Sequence, residues 1–214
     1  MDLLDQALNL ARKTHSGVKR EGGQPYITHP LAVLNKLKQN NMPKEALIAA
    51  VLHDVTEDSE VTNLEINQQF GQRVGFILYA LSKNIKPGNQ TNLRKKYQQE
   101  KKQKSFKSFQ DYIDYRFLIY VNRFYISGIA DPLILFIKLA DHIHNTSTLK
   151  YLQIKKQKRK IYEFENFYFP IYKKAQEVIT PGYIKRYRSL LKELKSIVER
   201  EKKRILKQYG SLDL

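Results

Sequence analysis

Between Ala46 and Leu52 the chain reads Ala-Leu-Ile-Ala-Ala-Val-Leu, and the next two residues are His53 and Asp54. A helix with seven apolar residues in a row has no polar face to turn toward water, so it must be enclosed by other elements. Pro43 is placed to open it. This segment fixes a core helix, and it sets an imidazole and a carboxylate at the end of that helix.

The remaining pattern is also helical. Leu3, Leu4, Ala7, Leu8, Leu10 and Ala11 share one face of a first helix. Thr28-His29-Pro30 reads as a helix start, with the proline in the first turn, where a missing N–H costs nothing. Thr62-Asn-Leu-Glu65 has the form of a capping box, and the helix it opens is predicted to end at Phe70-Gly71. Arg73 to Leu81 reads as a short helix. Tyr112 to Val121 is periodic again. Asp131-Pro132 precedes another helix, which leads into Leu139-Ala-Asp141, and a last one begins at Pro181. No alternating strand pattern competes, so the expected fold class is all-α, a compact helical bundle over residues 1–180. Residues 181–214 are expected to form a helical extension packed on it.

Residues 86–108 interrupt this pattern. After Lys86-Pro-Gly come Arg94, Lys95, Lys96, Lys101, Lys102, Lys104 and Lys107, with Glu100 as the single acid. The stretch reads as a lysine-rich insertion, a solvated or mobile connection.

Composition narrows the function classes. The 214 residues carry a net charge of +17, a surface that attracts polyanions: nucleic acid, or nucleotides with several phosphates. The chain has no cysteine, which excludes disulfides, thiolate metal sites and cysteine nucleophiles. No apolar run approaches the ~20 residues of a membrane span, and the acidic N-terminus lacks the features of a signal peptide. The expectation is a cytoplasmic protein with no membrane partner.

The chemistry is concentrated at three places. His53-Asp-Val-Thr-Glu-Asp58 sets one imidazole and three carboxylates on six residues, His29 lies upstream, and Asp141 lies downstream in Lys138-Leu-Ala-Asp-His-Ile-His-Asn145. Adjacent helical residues diverge by about 100°, so His53 and Asp54 can meet one ion only beyond the helix edge, with His29 and Asp141 available to complete its shell. Such a set of N and O ligands suits Mn²⁺ first, then Fe²⁺ or Zn²⁺. Glu57 and Asp58, a turn later, are placed to orient or deprotonate a water or to protonate a leaving group. Asn145 shares a helix face with Asp141. His15 is expected to support the site by a hydrogen bond.

The ordered segments Ala11-Arg-Lys-Thr-His-Ser-Gly17, Pro25-Tyr-Ile-Thr-His-Pro30, Leu52 to Asp58, Phe70-Gly71, Leu81-Ser-Lys83 and Ile137 to Asn145 together resemble the HD superfamily of metal-dependent phosphohydrolases. Within it, they are similar to the hydrolase domain of RelA/SpoT-type alarmone enzymes. The resemblance implies one Mn²⁺ held by His29, His53, Asp54 and Asp141, with Glu57 and Asp58 managing the catalytic water. Arg20, Lys83 and Asn145 match nucleotide-binding positions. The implied substrate is a small polyphosphorylated nucleotide, guanosine 3′,5′-bis(diphosphate), which loses its 3′-pyrophosphate. Glu21, His142 and Thr146-Ser147 differ from the family pattern. These differences keep a second reading in play, another HD nucleotide phosphohydrolase such as a nucleotidase or NADPH phosphatase. A nucleic-acid-binding protein on an inactive HD scaffold is the less favoured third.

Overall fold

The computed structural model describes residues 2–83, 97–101 and 104–213. Much of the lysine-rich stretch at 86–108, including Arg94 to Lys96 and Lys102, lies outside the described residues. The chain forms α1 (Leu3–Thr14), α2 (Thr28–Gln39), α3 (Lys44–Leu52), α4 (Val55–Asp58), α5 (Asn63–Phe70) and α6 (Gln72–Leu81). Then follow α7 (Phe109–Ala130), α8 (Leu133–Ser147), α9 (Ile154–Glu163), a π-helical turn (Phe164–Tyr168), α10 (Phe169–Ala175) and α11 (Pro181–Tyr209). Among the described residues there is no strand, only an isolated bridge between Lys19 and Pro25. The all-α expectation is met.

Local chemistry explains several boundaries. The Thr62 side chain accepts the Glu65 N–H while the Glu65 carboxylate accepts the Thr62 N–H, so the capping box read from the sequence forms. A second box, Ser108 with Asp111, opens α7. Its Ser-x-x-Asp signal stands at the edge of the lysine-rich stretch. Gly71 joins α5 to α6 at φ +94°, a conformation in which a Cβ is strained.

Two helices form the centre. In α3, Ala46 and Ile48 to Leu52 are all buried, as the apolar run requires. In α8, every residue from Leu133 to Ile143 is buried. Helix α8 packs against α2, α3, α6, α7 and α11. Each buried leucine, isoleucine or phenylalanine side chain contributes about 1.5–3 kcal/mol, so this helix is anchored from all sides. Its Lys138, Asp141 and Asn145, three and four residues apart, share one face. The N-terminal turn of α2 and the C-terminal end of α3 face it, and His29, His53 and Asp141 gather there.

Candidate metal centre and phosphate chamber

Helix α3 ends at Leu52, and the backbone turns at His53 and Asp54 before α4 begins. This break brings both side chains to the same point. The Nε2 atoms of His29 and His53 lie 3.1 Å apart. Asp141 Oδ1 is 3.1 Å from His29 Nε2 and 3.7 Å from His53 Nε2. Asp54 Oδ2 is 3.6 Å and 3.3 Å from the same two nitrogens. Ligand atoms about 2.1 Å from a shared divalent ion, at cis-octahedral to tetrahedral angles, lie roughly 3.0–3.4 Å from one another. His29, His53 and Asp141, all buried, form a candidate divalent-metal site.

The outer hydrogen bonds test that fit. His53 Nδ1 donates to the Ala50 carbonyl at 2.8 Å, which turns Nε2 toward the other candidate ligands. His29 Nδ1 is 2.8 Å from His144 Nδ1. Burial, then His29 and Arg20, push His144 down to about 4, so His144 is neutral at pH 7 and can accept from His29. Against burial, which would lower it, Asp54 and Asp141 raise His53 to about 9, so the carboxylates draw positive charge to this point, which a divalent cation would supply in place of the proton. Tyr26 donates to Asp54 Oδ2 at 2.8 Å. Asp141 accepts from Lys138 on Oδ2 at 2.7 Å and from Asn145 on Oδ1 at 2.5 Å. Burial alone would raise the Asp141 carboxyl, but Lys138 and the two histidines hold it well below the usual range.

Glu57 accepts the backbone N–H of Lys83, which ties α4 to the end of α6. Burial first, then Asp54 and Glu57, push Asp58 up to about 6. His15 Nδ1 lies 3.7 Å from Asp58 Oδ2, and neither ring nitrogen of this buried histidine finds a hydrogen-bond partner. It stacks on Tyr26 instead, at 4.6 Å. The hydrogen bond expected of His15 is absent because its ring lies parallel to the tyrosine and short of the carboxylate.

A chamber of about 250 Å³ opens beside Asp141. Lys83, Lys138 and Lys160 line it, together with Arg20, Asn145 and Tyr168. The Lys160 ammonium first, then burial and Lys138, hold Lys83 below the usual lysine range. Lys138 is raised instead, because Asp141 outweighs the burial that would lower it. The chamber shares Arg20, Asn145, Thr148 and Leu152 with an outer cleft of about 620 Å³ that also includes Tyr26 and Tyr151. Arg20 Nη2 donates to Asn145 Oδ1 at 2.8 Å, so Arg20, Asn145 and Asp141 form one hydrogen-bonded line from the cleft to the metal centre.

The structure thus places Arg20, Lys83 and Asn145 around one cavity that Asp141 also lines, and Asp141 joins it to the cluster of His29, His53 and Asp54. Sequence reasoning did not single out Lys138, Lys160 or Tyr168. A lysine inside the apolar run Leu133 to Ala140, three residues before Asp141, was the available signal for the first. Lys160 and Tyr168 carry no local signal.

Over residues 7–176 the chain matches the family model described as HD domain, and it belongs to that family. Among curated proteins, the guanosine-3′,5′-bis(diphosphate) 3′-pyrophosphohydrolase of Aquifex aeolicus (strain VF5) is 32% identical over 168 residues, 78% of this chain and 21% of that protein. The bifunctional (p)ppGpp synthase/hydrolase SpoT of Escherichia coli (strain K12) is 33% identical over 168 residues, with the same two coverages, 78% and 21%. A GTP pyrophosphokinase of Streptomyces antibioticus is 32% identical over 170 residues, 78% of this chain and 17% of that protein. The chain spans about a fifth of the length of these relatives. A solved structure of a metazoan ortholog of SpoT shares the fold, with TM-score 0.53 and 17% identity, over 98% of this chain and 97% of the other.

Proposed function

We propose that this chain is a Mn²⁺-dependent 3′-pyrophosphohydrolase of guanosine 3′,5′-bis(diphosphate) or its triphosphate analogue, with GDP or GTP and pyrophosphate as products. The observation that carries the reading is a candidate divalent-metal site whose Asp141 also lines a chamber with three lysines. A cavity with that much positive charge beside a metal centre suits a substrate with phosphates at two positions. The names of the curated relatives point to the same substrate. Residues 1–180 would be the catalytic unit, and 181–214 an extension packed on it.

In this reading His29, His53, Asp54 and Asp141 hold the ion. Bound there, a divalent cation supplies Lewis-acid polarisation of a phosphoryl oxygen and acidifies a water. The chain's own residues do the rest. Lys83, Lys138 and Lys160 neutralise phosphate oxygens, and Arg20 faces the nucleoside in the cleft. Asn145 links Arg20 to Asp141, so nucleoside binding and metal-ligand orientation are coupled. Glu57 takes the proton of the attacking water. The water oxygen bonds to the phosphorus attached to O3′, the P–O3′ bond breaks, and pyrophosphate leaves. Asp58, a carboxyl that holds its proton to about pH 6, delivers a proton to O3′.

The test pairs two variants with product identification. His53→Ala is expected to lose Mn²⁺, measured by metal analysis after dialysis. Glu57→Gln is expected to keep the metal and lose roughly 10²–10⁴-fold in rate. Turnover of another nucleotide with no pyrophosphate released from the alarmone would replace the substrate assignment. Full activity in Glu57→Gln would remove that residue from the mechanism.

A further inference from the structure

Helix α9 separates two cavities. Its Lys160 faces the chamber, and its Arg159 lines a second cavity of about 400 Å³. The π turn divides its aromatic rings in the same way, with Phe164 and Tyr168 in the chamber and Phe167 in the second cavity. Glu163 stands between the two. Its Oε2 is 2.7 Å from Lys160 Nζ, and its Oε1 is 3.2 Å from Arg159 Nε. The glutamate is buried. Burial would raise its carboxyl, but Lys160, Lys83 and Arg159 hold it down, so it stays charged and must keep a cationic partner.

The second cavity has the composition of a small-molecule site. Its volume falls in the usual range of about 300–1,000 Å³. Phe117, Tyr162 and Phe167 form an aromatic notch, with Phe167 edge-on to the other two at 5.3 and 5.9 Å. Tyr162 is 47% exposed although it lines a concave, largely apolar surface. The rim carries Lys155 and Arg159 on one side and Asp114 on the other. Asp114 Oδ1 accepts from Arg159 Nη2 at 2.9 Å and from Gln110 Nε2 at 2.9 Å, which leaves Oδ2 to face incoming donors. An aromatic notch stacks a base, two cations take a phosphate, and the remaining carboxylate oxygen accepts an N–H donor of a guanine edge.

We propose that this cavity is a second nucleotide site, taking a guanine nucleoside phosphate, and that it reports to the chamber through Glu163. A phosphate that draws Arg159 away leaves Glu163 with Lys160 alone, and Lys160 is then withheld from the chamber. The occupant therefore weakens substrate binding. By linkage, substrate that draws Lys160 into the chamber strengthens the Glu163–Arg159 pair and weakens the second site by the same factor. The regulatory half rests on the chamber holding substrate phosphate, as in the proposed function. The binding half does not.

The probe is GTP, titrated calorimetrically into the metal-loaded full chain. A binding component that weakens at least tenfold in Tyr162→Ala and in Arg159→Met, and persists in Lys83→Met, is expected. In Glu163→Gln that component is retained, while the part of the GTP-dependent rise in KM that Tyr162→Ala also removes disappears. No GTP binding by the wild type, or binding indifferent to Tyr162→Ala and Arg159→Met, overturns the site. GTP binding at the cavity with an unchanged KM overturns the coupling. None of the binding readouts requires alarmone turnover, so failure of the substrate assignment is seen separately.

Discussion

Replacing Lys138 by Met removes one partner of a buried ion pair and leaves the other in place. Lys138 and Asp141 are 8% and 4% exposed, and their charged atoms are 2.7 Å apart. Stranding one member of such a pair costs about 3–5 kcal/mol. For a chain of this size each kcal/mol moves Tm by about 2–4 °C, so a drop of roughly 6–20 °C is expected in EDTA. The effect has a pH window. Asp141 is held below 3.8, so its contribution is present above 3.8 and is lost as pH falls through its lower folded value. Lys138 is held above 10.5, so its contribution is present below 10.5 and is lost as pH rises through its higher folded value. The loss in Lys138→Met is therefore full between those limits. Mn²⁺ restores a cation beside Asp141, so most of the lost Tm returns on adding the metal. The assay is calorimetry of wild type, Lys138→Met, Asp141→Asn and the double variant, with and without Mn²⁺. The double variant is expected to lose less than the sum of the singles by about 1–3 kcal/mol. Additive losses, or a loss in Lys138→Met below about 1 kcal/mol, would refute the reasoning.

Other expectations follow from single sites. Asp58 is raised to about 6, so the folded chain resists its ionisation as pH climbs from 3.8 through 6. Asp58→Asn in EDTA should gain denaturation midpoint over the wild type across that window and keep the gain at pH 8; an equal difference at pH 3.5 and pH 8 contradicts it. At the α7–α8 crossing, a Cβ on Gly128 would sit 2.7 Å from Leu135 Cδ2. Gly128→Ala should cost ~1–3 kcal/mol by overpacking, less the ~1 kcal/mol alanine returns in a helix. In a Leu135→Ala background the same change should be neutral or stabilising by urea unfolding. Thr62→Ala should cost about 1 kcal/mol through the lost capping box, and an unchanged urea midpoint would exclude that role.

Parts of this molecule were legible because they depend on neighbours in the chain. The apolar run Ala46–Leu52 requires enclosure whatever surrounds it. Thr62 with Glu65 caps a helix from within one turn. Pro43 and Pro181 mark starts because a proline ring fixes its own φ. Asp141 and Asn145 share a face through the 3.6-residue repeat alone. The Ser108 box was equally local, yet it went unread beside the lysines at 101–107.

The sequence by itself determined an all-helical chain and set His53 and Asp54 side by side at the end of a core helix, since residue type and short-range spacing are properties of the chain; His29 and Asp141 joined them as candidates through residue type and family resemblance. Tertiary structure alone decided that Lys83, Lys138 and Lys160 face one chamber and that His144 meets His29. Lys83 and Lys160 are 77 positions apart in the chain, and His29 and His144 are 115 apart. No periodicity reaches across such separations. His144 meets His29 because α8 is buried and α2 packs against it.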